Sequence, residues 1–226
     1  IAETLAREGA FVVVNYRGSG QAAQELAEKI GGVAMQCDVA DFEACENMIK
    51  TMIETYGHLD ILVNNAGIIR RQDAIEFTVE NWDDVININL RTVFFFSQKA
   101  AQQYIKQGTP GKIINIASML SYQGGIRVPS YTASKSGVMG ITRSMANEWA
   151  KHNININAIA PGYMATNNTQ QLRSDEERSE EILGRIPAGR WGTPADVAGP
   201  AVFLASPASD YVNGYTVAVD GGWLAR

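Results

Sequence analysis

Histidine and cysteine are nearly absent: the 226 residues hold two of each, His58, His152, Cys37 and Cys45. Neither histidine has a partner at ligand spacing, which argues against a catalytic zinc centre and against a triad with histidine as base. No metal is expected. Two thiols in a chain of this length make no disulfide framework and read as the ordinary reduced thiols of a cytoplasmic protein. No apolar run approaches the ~20 residues a bilayer span needs, so no membrane partner is expected. Positive charge is not in excess either. Lysine and arginine number 19 against 24 acidic residues, and a net charge of −5 argues against a nucleic-acid partner. With 46% hydrophobic and only 19% charged residues, the chain is also too apolar to stay disordered.

What is present is a rhythm of apolar runs and helical patterns. Phe11–Val14, Val33–Cys37, Ile61–Asn64, Lys112–Ile116, Ile154–Ile159 and Thr216–Val219 read as strands. Most are continuous β-branched runs, as expected of parallel strands buried on both faces. Helical patterns lie between them at Gly20–Ile30, Phe42–Tyr56, Glu80–Gln107, Tyr131–His152 and Pro194–Leu204, with Asp41 and Thr193 as N-caps. The reading is an α/β fold, a single-domain, Rossmann-like doubly wound parallel sheet over residues 1–226. Residues 160–192 break the rhythm with a polar stretch and a charged segment. An irregular insertion after a strand's carboxyl end is expected to be a substrate lid.

Three residues offer chemistry without a metal. Tyr131 and Lys135 are four apart at the start of a helix and so share one face. An ammonium near a phenol favours the phenolate, which brings proton exchange toward neutral pH. Ser118 follows the strand Lys112–Ile116 at the sheet's carboxyl edge, where its hydroxyl can hold a carbonyl oxygen beside Tyr131. Asn64-Asn65-Ala66-Gly67 directly follows another strand, and its small residues let backbone approach a flat ligand. Pro161-Gly162 follows a third, and Asn89 is a polar residue in an apolar helical stretch.

Taken together, Asn64-Asn65-Ala66-Gly67, Asn89, Ser118, Tyr131-x-x-x-Lys135 and Pro161-Gly162 resemble the short-chain dehydrogenase/reductases in order and spacing, from Ile1 to the terminal Asp220-Gly221-Gly222. The resemblance implies an NAD(P)-dependent oxidoreductase acting on CH–OH groups. In it Tyr131 would be the acid/base and Lys135 would lower its pKa and hold the nicotinamide ribose. Ser118 would orient the substrate oxygen, and Asn89 would anchor a water linking Lys135 to solvent. Asp38 and Val39 would contact the adenine, and Asn65, Ala66 and Gly67 the adenosine ribose side. Pro161, Gly162, Met164 and Thr166 would cover the nicotinamide half. A cytoplasmic homotetramer is implied as well.

For the cofactor two readings stand side by side. The strand Phe11–Val14 runs into Asn15-Tyr16-Arg17, where an acid would select NAD and an arginine accommodates NADP. Asn15 and Arg17 thus lean to NADP or dual use, whereas the branch the chain most resembles implies NAD. That branch acts on deoxy keto sugar acids from the breakdown of pectin-type uronates. It is carried by Asn64–Arg71, Gly124–Tyr131, Pro161–Gln171 and Asp220–Arg226. A sugar acid carries a carboxylate, which arginine grips bidentately. Arg71 and Arg127 are the first candidates, ahead of Arg70, and Ser118 and Tyr131 would face the reacting carbon. A gluconate 5-dehydrogenase or a 3-oxoacyl-carrier-protein reductase is the alternative within the family, and a non-catalytic binding protein the alternative outside it.

The family's Thr-Gly-x-x-x-Gly-x-Gly loop and the strand before it are not found. Residues Ile1–Glu8, closed by Gly9, read as the latter part of the helix that follows such a loop. The expectation is a sequence lacking its natural N-terminus, a sheet interrupted in its middle, and residues 1–226 that by themselves neither fold robustly nor bind a dinucleotide tightly.

Overall fold

Six short strands, all parallel, alternate with helices along the chain in a computed structural model that describes Ile1–Arg226. They are β1 (Val13–Tyr16), β2 (Val33–Gln36), β3 (Ile61–Asn64), β4 (Gly111–Ile116), β5 (Ile154–Pro161) and β6 (Thr216–Val219). β1 pairs with β2 alone, and β3, β4, β5 and β6 form a separate ladder in that order. The sheet is therefore interrupted between β1 and β3, as the sequence reading expects. β1 begins two residues later than its apolar run. Phe11 stays 54% exposed, stacked on Tyr56 with ring centroids 4.7 Å apart.

The α-helices are α1 (Ala2–Arg7), α2 (Gly20–Ile30), α3 (Phe42–Tyr56), α4 (Val79–Ile86), α5 (Thr92–Gln107), α6 (Pro129–Trp149), α7 (Gln170–Ser174), α8 (Glu176–Arg185) and α9 (Pro194–Ala205). Both faces of the four-stranded ladder are covered, which is why its strands read as unbroken apolar runs. Ile113 and Ile156 pack with Ile49, Phe96 and Tyr104 of α3 and α5 on one face. Ile114 and Ile159 pack with Val197, Ala201 and Leu204 of α9 on the other. Successive residues of β4 thus serve opposite cores, the period-two geometry of a strand.

Two differences from the sequence reading matter for the site. The Glu80–Gln107 pattern is one continuous helical stretch, but residues Asn87–Arg91 form a π turn between α4 and α5. The Thr92 hydroxyl closes it by donating to the Asn87 carbonyl at 2.9 Å. Single π turns of this kind widen a helix locally and cluster at functional sites. The 160–192 segment is mostly helical rather than irregular, carrying α7, α8 and a short 3-10 turn at Asn167–Thr169. Its charged run is the solvated face of α8, whose Ile182 is buried against Met119, Ile186 and Trp223.

Candidate active site

The ladder brings Ser118, Tyr131, Lys135 and Asn89 to its carboxyl edge. Ser118 leaves β4 and opens a 3-10 turn over Met119–Ser121, with the Leu120 N–H donating to its hydroxyl at 3.1 Å. α6 begins at Pro129, whose fixed φ suits a first helical position, so Tyr131 lies in the first turn and Lys135 one turn on. Lys135 is 4% exposed and its ammonium donates to the Ile116 carbonyl at 2.5 Å, lying 5.7 Å from the centre of the Tyr131 ring. Asn89 sits in the π turn with no exposed surface. Its amide is held at both ends by Ile68: Oδ1 accepts the Ile68 N–H and Nδ2 donates to the Ile68 carbonyl, each at 2.8 Å. Nδ2 also donates to Ser134 Oγ at 3.3 Å, and Ser134 donates to the Tyr131 carbonyl at 2.8 Å. The π turn and the start of α6 are thereby locked together.

Below this edge runs a chain of buried polar side chains. Asn64 of β3 donates to Ser97 of α5 at 2.9 Å and to Asn115 of β4 at 2.8 Å. Asn115 donates in turn to Thr142 of α6 at 2.9 Å. Each of these groups is satisfied in a low-dielectric interior, where a satisfied network rigidifies and an unsatisfied one is costly.

Electrostatics refine the simple Tyr-x-x-x-Lys reading. Burial raises the Tyr131 phenol above its usual range, and the opposing influences are a hydrogen bond with Ser118 and the charge of Arg71. Burial also pushes Lys135 down to about 8. The lysine therefore has a ready neutral form at mildly alkaline pH. The charge that favours the phenolate comes from across the cleft, on Arg71, a contribution that helical spacing does not reveal.

The three arginines after β3 and before α6 have different surroundings. Arg70 pairs with Asp84 at 3.0 Å, and Arg127, in the left-handed region at φ 64°, pairs with Asp73 at 2.8 Å. Both charges are answered by surface carboxylates. Arg71 instead donates to the Asn168 carbonyl of the 160–192 segment at 3.0 Å, while also acting on Tyr131 and Tyr163. The two ends of that segment are tied to each other: Met164 bridges Gly192, Ala165 N–H donates to Gly192 O at 2.7 Å, and Gly192 N–H to Tyr163 O at 2.9 Å.

Residues suited to a dinucleotide line the same edge. Asp38, just past β2, lies 3.9 Å from Arg17, just past β1, and accepts the Ala40 N–H at 3.0 Å. Val39 follows and receives the Cys45 thiol at 3.6 Å on its carbonyl. Asn15 is otherwise engaged, its amide donating to the Met35 and Cys37 carbonyls at 3.3 and 3.1 Å. Asn65, Ala66 and Gly67 are exposed beyond β3. A Cβ on Gly67 would come within 3.3 Å of Asn89 Oδ1 and 3.8 Å of Lys135 Nζ, so this turn is shaped for close approach to both. At Gly162 a Cβ would fall 2.7 Å from Asp220, which makes glycine obligatory where β5 meets the 160–192 segment. Thr166 caps that segment's first turn, and Met164 is buried. Exposed Asn65–Gly67 backbone packed against a buried ammonium fits the nicotinamide-ribose part of a dinucleotide.

Sequence comparison agrees with this geometry. A family profile described as enoyl-(acyl carrier protein) reductase matches residues 1–224. A 2-dehydro-3-deoxy-D-gluconate 5-dehydrogenase of Dickeya dadantii is 68% identical over 208 residues, 90% of this chain and 82% of the relative. One of Escherichia coli is 70% identical over 194 residues, 86% of this chain and 77% of the relative. The chain belongs to the short-chain dehydrogenase/reductase family. A crystal structure of a gluconate 5-dehydrogenase from Burkholderia cenocepacia, in complex with NADP and tartrate, superimposes on this dehydrogenase/reductase with a TM-score of 0.95. It is 38% identical and is matched over 100% of this chain and 90% of that one.

As a short-chain dehydrogenase/reductase the protein is an oxidoreductase that works with a nicotinamide cofactor. No helix in it is long and apolar enough to cross a membrane. Among the groups the sequence reading passed over, Ser134 belongs to the Asn89 lock, and its signal was only its place on the Tyr131 face of α6. Tyr163, directly after Gly162, packs edge-on against Trp191 and Trp223 at 5.5 and 4.9 Å. Its phenol feels Arg178, Arg185 and Arg71 against the dominant effect of burial.

Proposed function

We propose that this dehydrogenase/reductase interconverts 2-dehydro-3-deoxy-D-gluconate and its 2,5-diketo counterpart. Arg71 is the observation that carries the substrate class: a guanidinium between the catalytic phenol and the lid, unpaired with any carboxylate, suits a small acid. The names of the Dickeya and Escherichia relatives support the choice of sugar acid, and the tartrate bound by the Burkholderia relative supports a hydroxy acid. When bound, the nicotinamide ring supplies or receives the hydride.

The chain's own residues do the rest. Tyr131 gives or takes the hydroxyl proton, and Ser118 holds the substrate oxygen beside it. Lys135 holds the nicotinamide ribose and, with Asn89 anchoring a water, passes the proton toward solvent. Asp38 and Val39 meet the adenine, Asn65, Ala66 and Gly67 the adenosine ribose side, and Pro161, Gly162, Met164 and Thr166 the nicotinamide half. Arg17 accommodates a 2′-phosphate, and the absence of an acid at Asn15 leaves both NAD and NADP usable. Arg71 grips the carboxylate. Arg127, held by Asp73, is the weaker candidate. The enzyme works as a cytoplasmic homotetramer in pectin-type uronate breakdown.

A spectrophotometric assay tests this reading, offering 2-dehydro-3-deoxy-D-gluconate, gluconate and 2-deoxy-D-gluconate, each with NAD and with NADP. The highest kcat/KM is expected for 2-dehydro-3-deoxy-D-gluconate. Preference for gluconate or for 2-deoxy-D-gluconate, or no turnover of any of the three, overturns it.

A further inference from the structure

Past the end of β4 the backbone can no longer be held by its neighbour. Ala117 makes the last ladder bond, donating to Ile159 O at 2.8 Å, and the next residue is Ser118. Its N–H turns instead to the hydroxyl of Ser121, at 3.3 Å. That hydroxyl spends its own proton on the Lys135 carbonyl, at 2.6 Å. One buried oxygen thus joins the backbone of the strand-end serine to the backbone of the helix that carries Tyr131 and Lys135. Ser121 is 8% exposed, and a hydroxyl has one donor and two lone pairs, so both of its bonds are made within the protein. Ser118 accepts the Leu120 N–H, which leaves its hydroxyl proton and one lone pair for the cleft.

Two other side-chain ties connect β4 to α6, and neither reaches the Ser118 backbone; from α6 only Tyr131 meets Ser118, through its side chain. Lys135 Nζ donates to Ile116 O, and Asn115 Nδ2 donates to Thr142 Oγ1. Removing the Ser121 hydroxyl would leave β4 and α6 packed together while freeing the Ser118 backbone, so that its side chain meets Tyr131 without a fixed support. We propose that Ser121 is a positioning residue, whose shared hydroxyl sets the distance between Ser118 and the Tyr131–Lys135 pair. The inference rests on the proposed roles of Ser118 and Tyr131.

The test compares Ser121→Ala with Thr142→Val, which removes the other side-chain hydroxyl tying β4 to α6. Both lose thermal stability. Ser121→Ala is expected to lower kcat about 10- to 100-fold, the scale of a reacting group displaced by roughly 1 Å. The Tyr131 limb of its pH–rate profile moves to higher pH, because a displaced Ser118 no longer favours the phenolate. Thr142→Val keeps the wild-type profile. Ser121→Cys, which retains a weak donor, recovers part of the loss and serves as the test variant if Ser121→Ala melts too low to assay.

Titration of ring-labelled tyrosine by NMR, with Tyr131 assigned through Tyr131→Phe, gives the same comparison without turnover. If the wild-type enzyme turns over none of the sugar acids, the substrate reading fails while this readout still reports on Ser121. Matching Tyr131 titrations and matching kcat in Ser121→Ala and Thr142→Val overturn the proposal.

Discussion

The two ladders of the sheet are built differently. In the block of β3 to β6 the functional groups are buried and over-determined: Asn89 is bonded on both ends of its amide, and Lys135 is wedged between Ile116 and Tyr131. At the β1–β2 edge the corresponding groups are exposed, and Arg17 meets Asp38 only at 3.9 Å, with both side chains largely in solvent. Buried, fully bonded groups fix a geometry, whereas exposed charges tune a preference and are screened by salt. On the proposed assignment, the chemistry belongs to the first region and the choice of cofactor to the second.

Substitutions in the two regions should differ accordingly. The largest effect is expected from Tyr131→Phe, which removes the acid/base and should lower kcat by about 10²- to 10⁴-fold with the fold intact. Steady-state kinetics and a thermal melt check both halves of that statement. Arg71→Ala should raise the KM for the sugar acid by about tenfold or more, the scale of a charged hydrogen bond worth ~1.5–3 kcal/mol, with a smaller change in kcat. Unchanged kinetics in Arg71→Ala would remove it as the carboxylate anchor, and Arg127→Ala is the matched surface control.

Asn115→Ala should destabilise by about 1–3 kcal/mol, read as a lowered Tm, because the chain from Asn64 to Thr142 is cut although Asn64 keeps Ser97 and Thr142 keeps the Val138 carbonyl. The smallest effect belongs to the thin edge. Arg17→Ala should alter the NADP-to-NAD ratio of kcat/KM only a few-fold at physiological salt, as exposed pairs are worth ~0.2–1 kcal/mol, and the effect should shrink as salt rises. An Arg17 effect as large as that of Tyr131 would break the comparison.

A pH series sharpens it. Lys135 has a folded-state pKa lowered by burial to about 8 from its ordinary 10.5. Below about pH 8 it is protonated in both states, and the folded state bears the cost of burying the charge. Between about 8 and 10.5 the unfolded chain binds more protons, so this group alone makes stability rise with pH. The two cysteines act oppositely, since burial raises both thiols and favours unfolding at alkaline pH. The difference between wild type and Lys135→Met isolates the lysine. That difference should change across this window, and a flat difference curve would contradict the assigned burial effect.

Most of the fold was legible because it rests on local patterns. Gly20–Ile30, Phe42–Tyr56, Ile61–Asn64 and Thr216–Val219 have the boundaries that periodicity suggests. Asp41 caps its helix by accepting the Ala44 N–H at 3.0 Å. Helical period also put Tyr131 and Lys135 on one face. It could not show that Arg71, sixty residues earlier in the chain, supplies charge to that phenol, because the encounter depends on how the loop after β3 crosses the cleft. Nor could it separate Arg71 from Arg127, whose partner Asp73 is far away in sequence. The π turn was equally invisible, since Asn87–Arg91 carries the same apolar pattern as the helices on either side.

The closed base of the 160–192 segment has a consequence for how this part of the chain can change. Met164 and Gly192 meet as neighbours, so the chain between them starts and ends at nearly one point. Lengthening such an excursion costs little, about 0.6 kcal/mol for each doubling of loop length. Between those roots the exposed positions of α7 and α8 can be exchanged or re-charged, whereas Asn168, which holds Arg71, and Ile182, packed on Met119 and Trp223, tie the segment to the floor that carries Ser118.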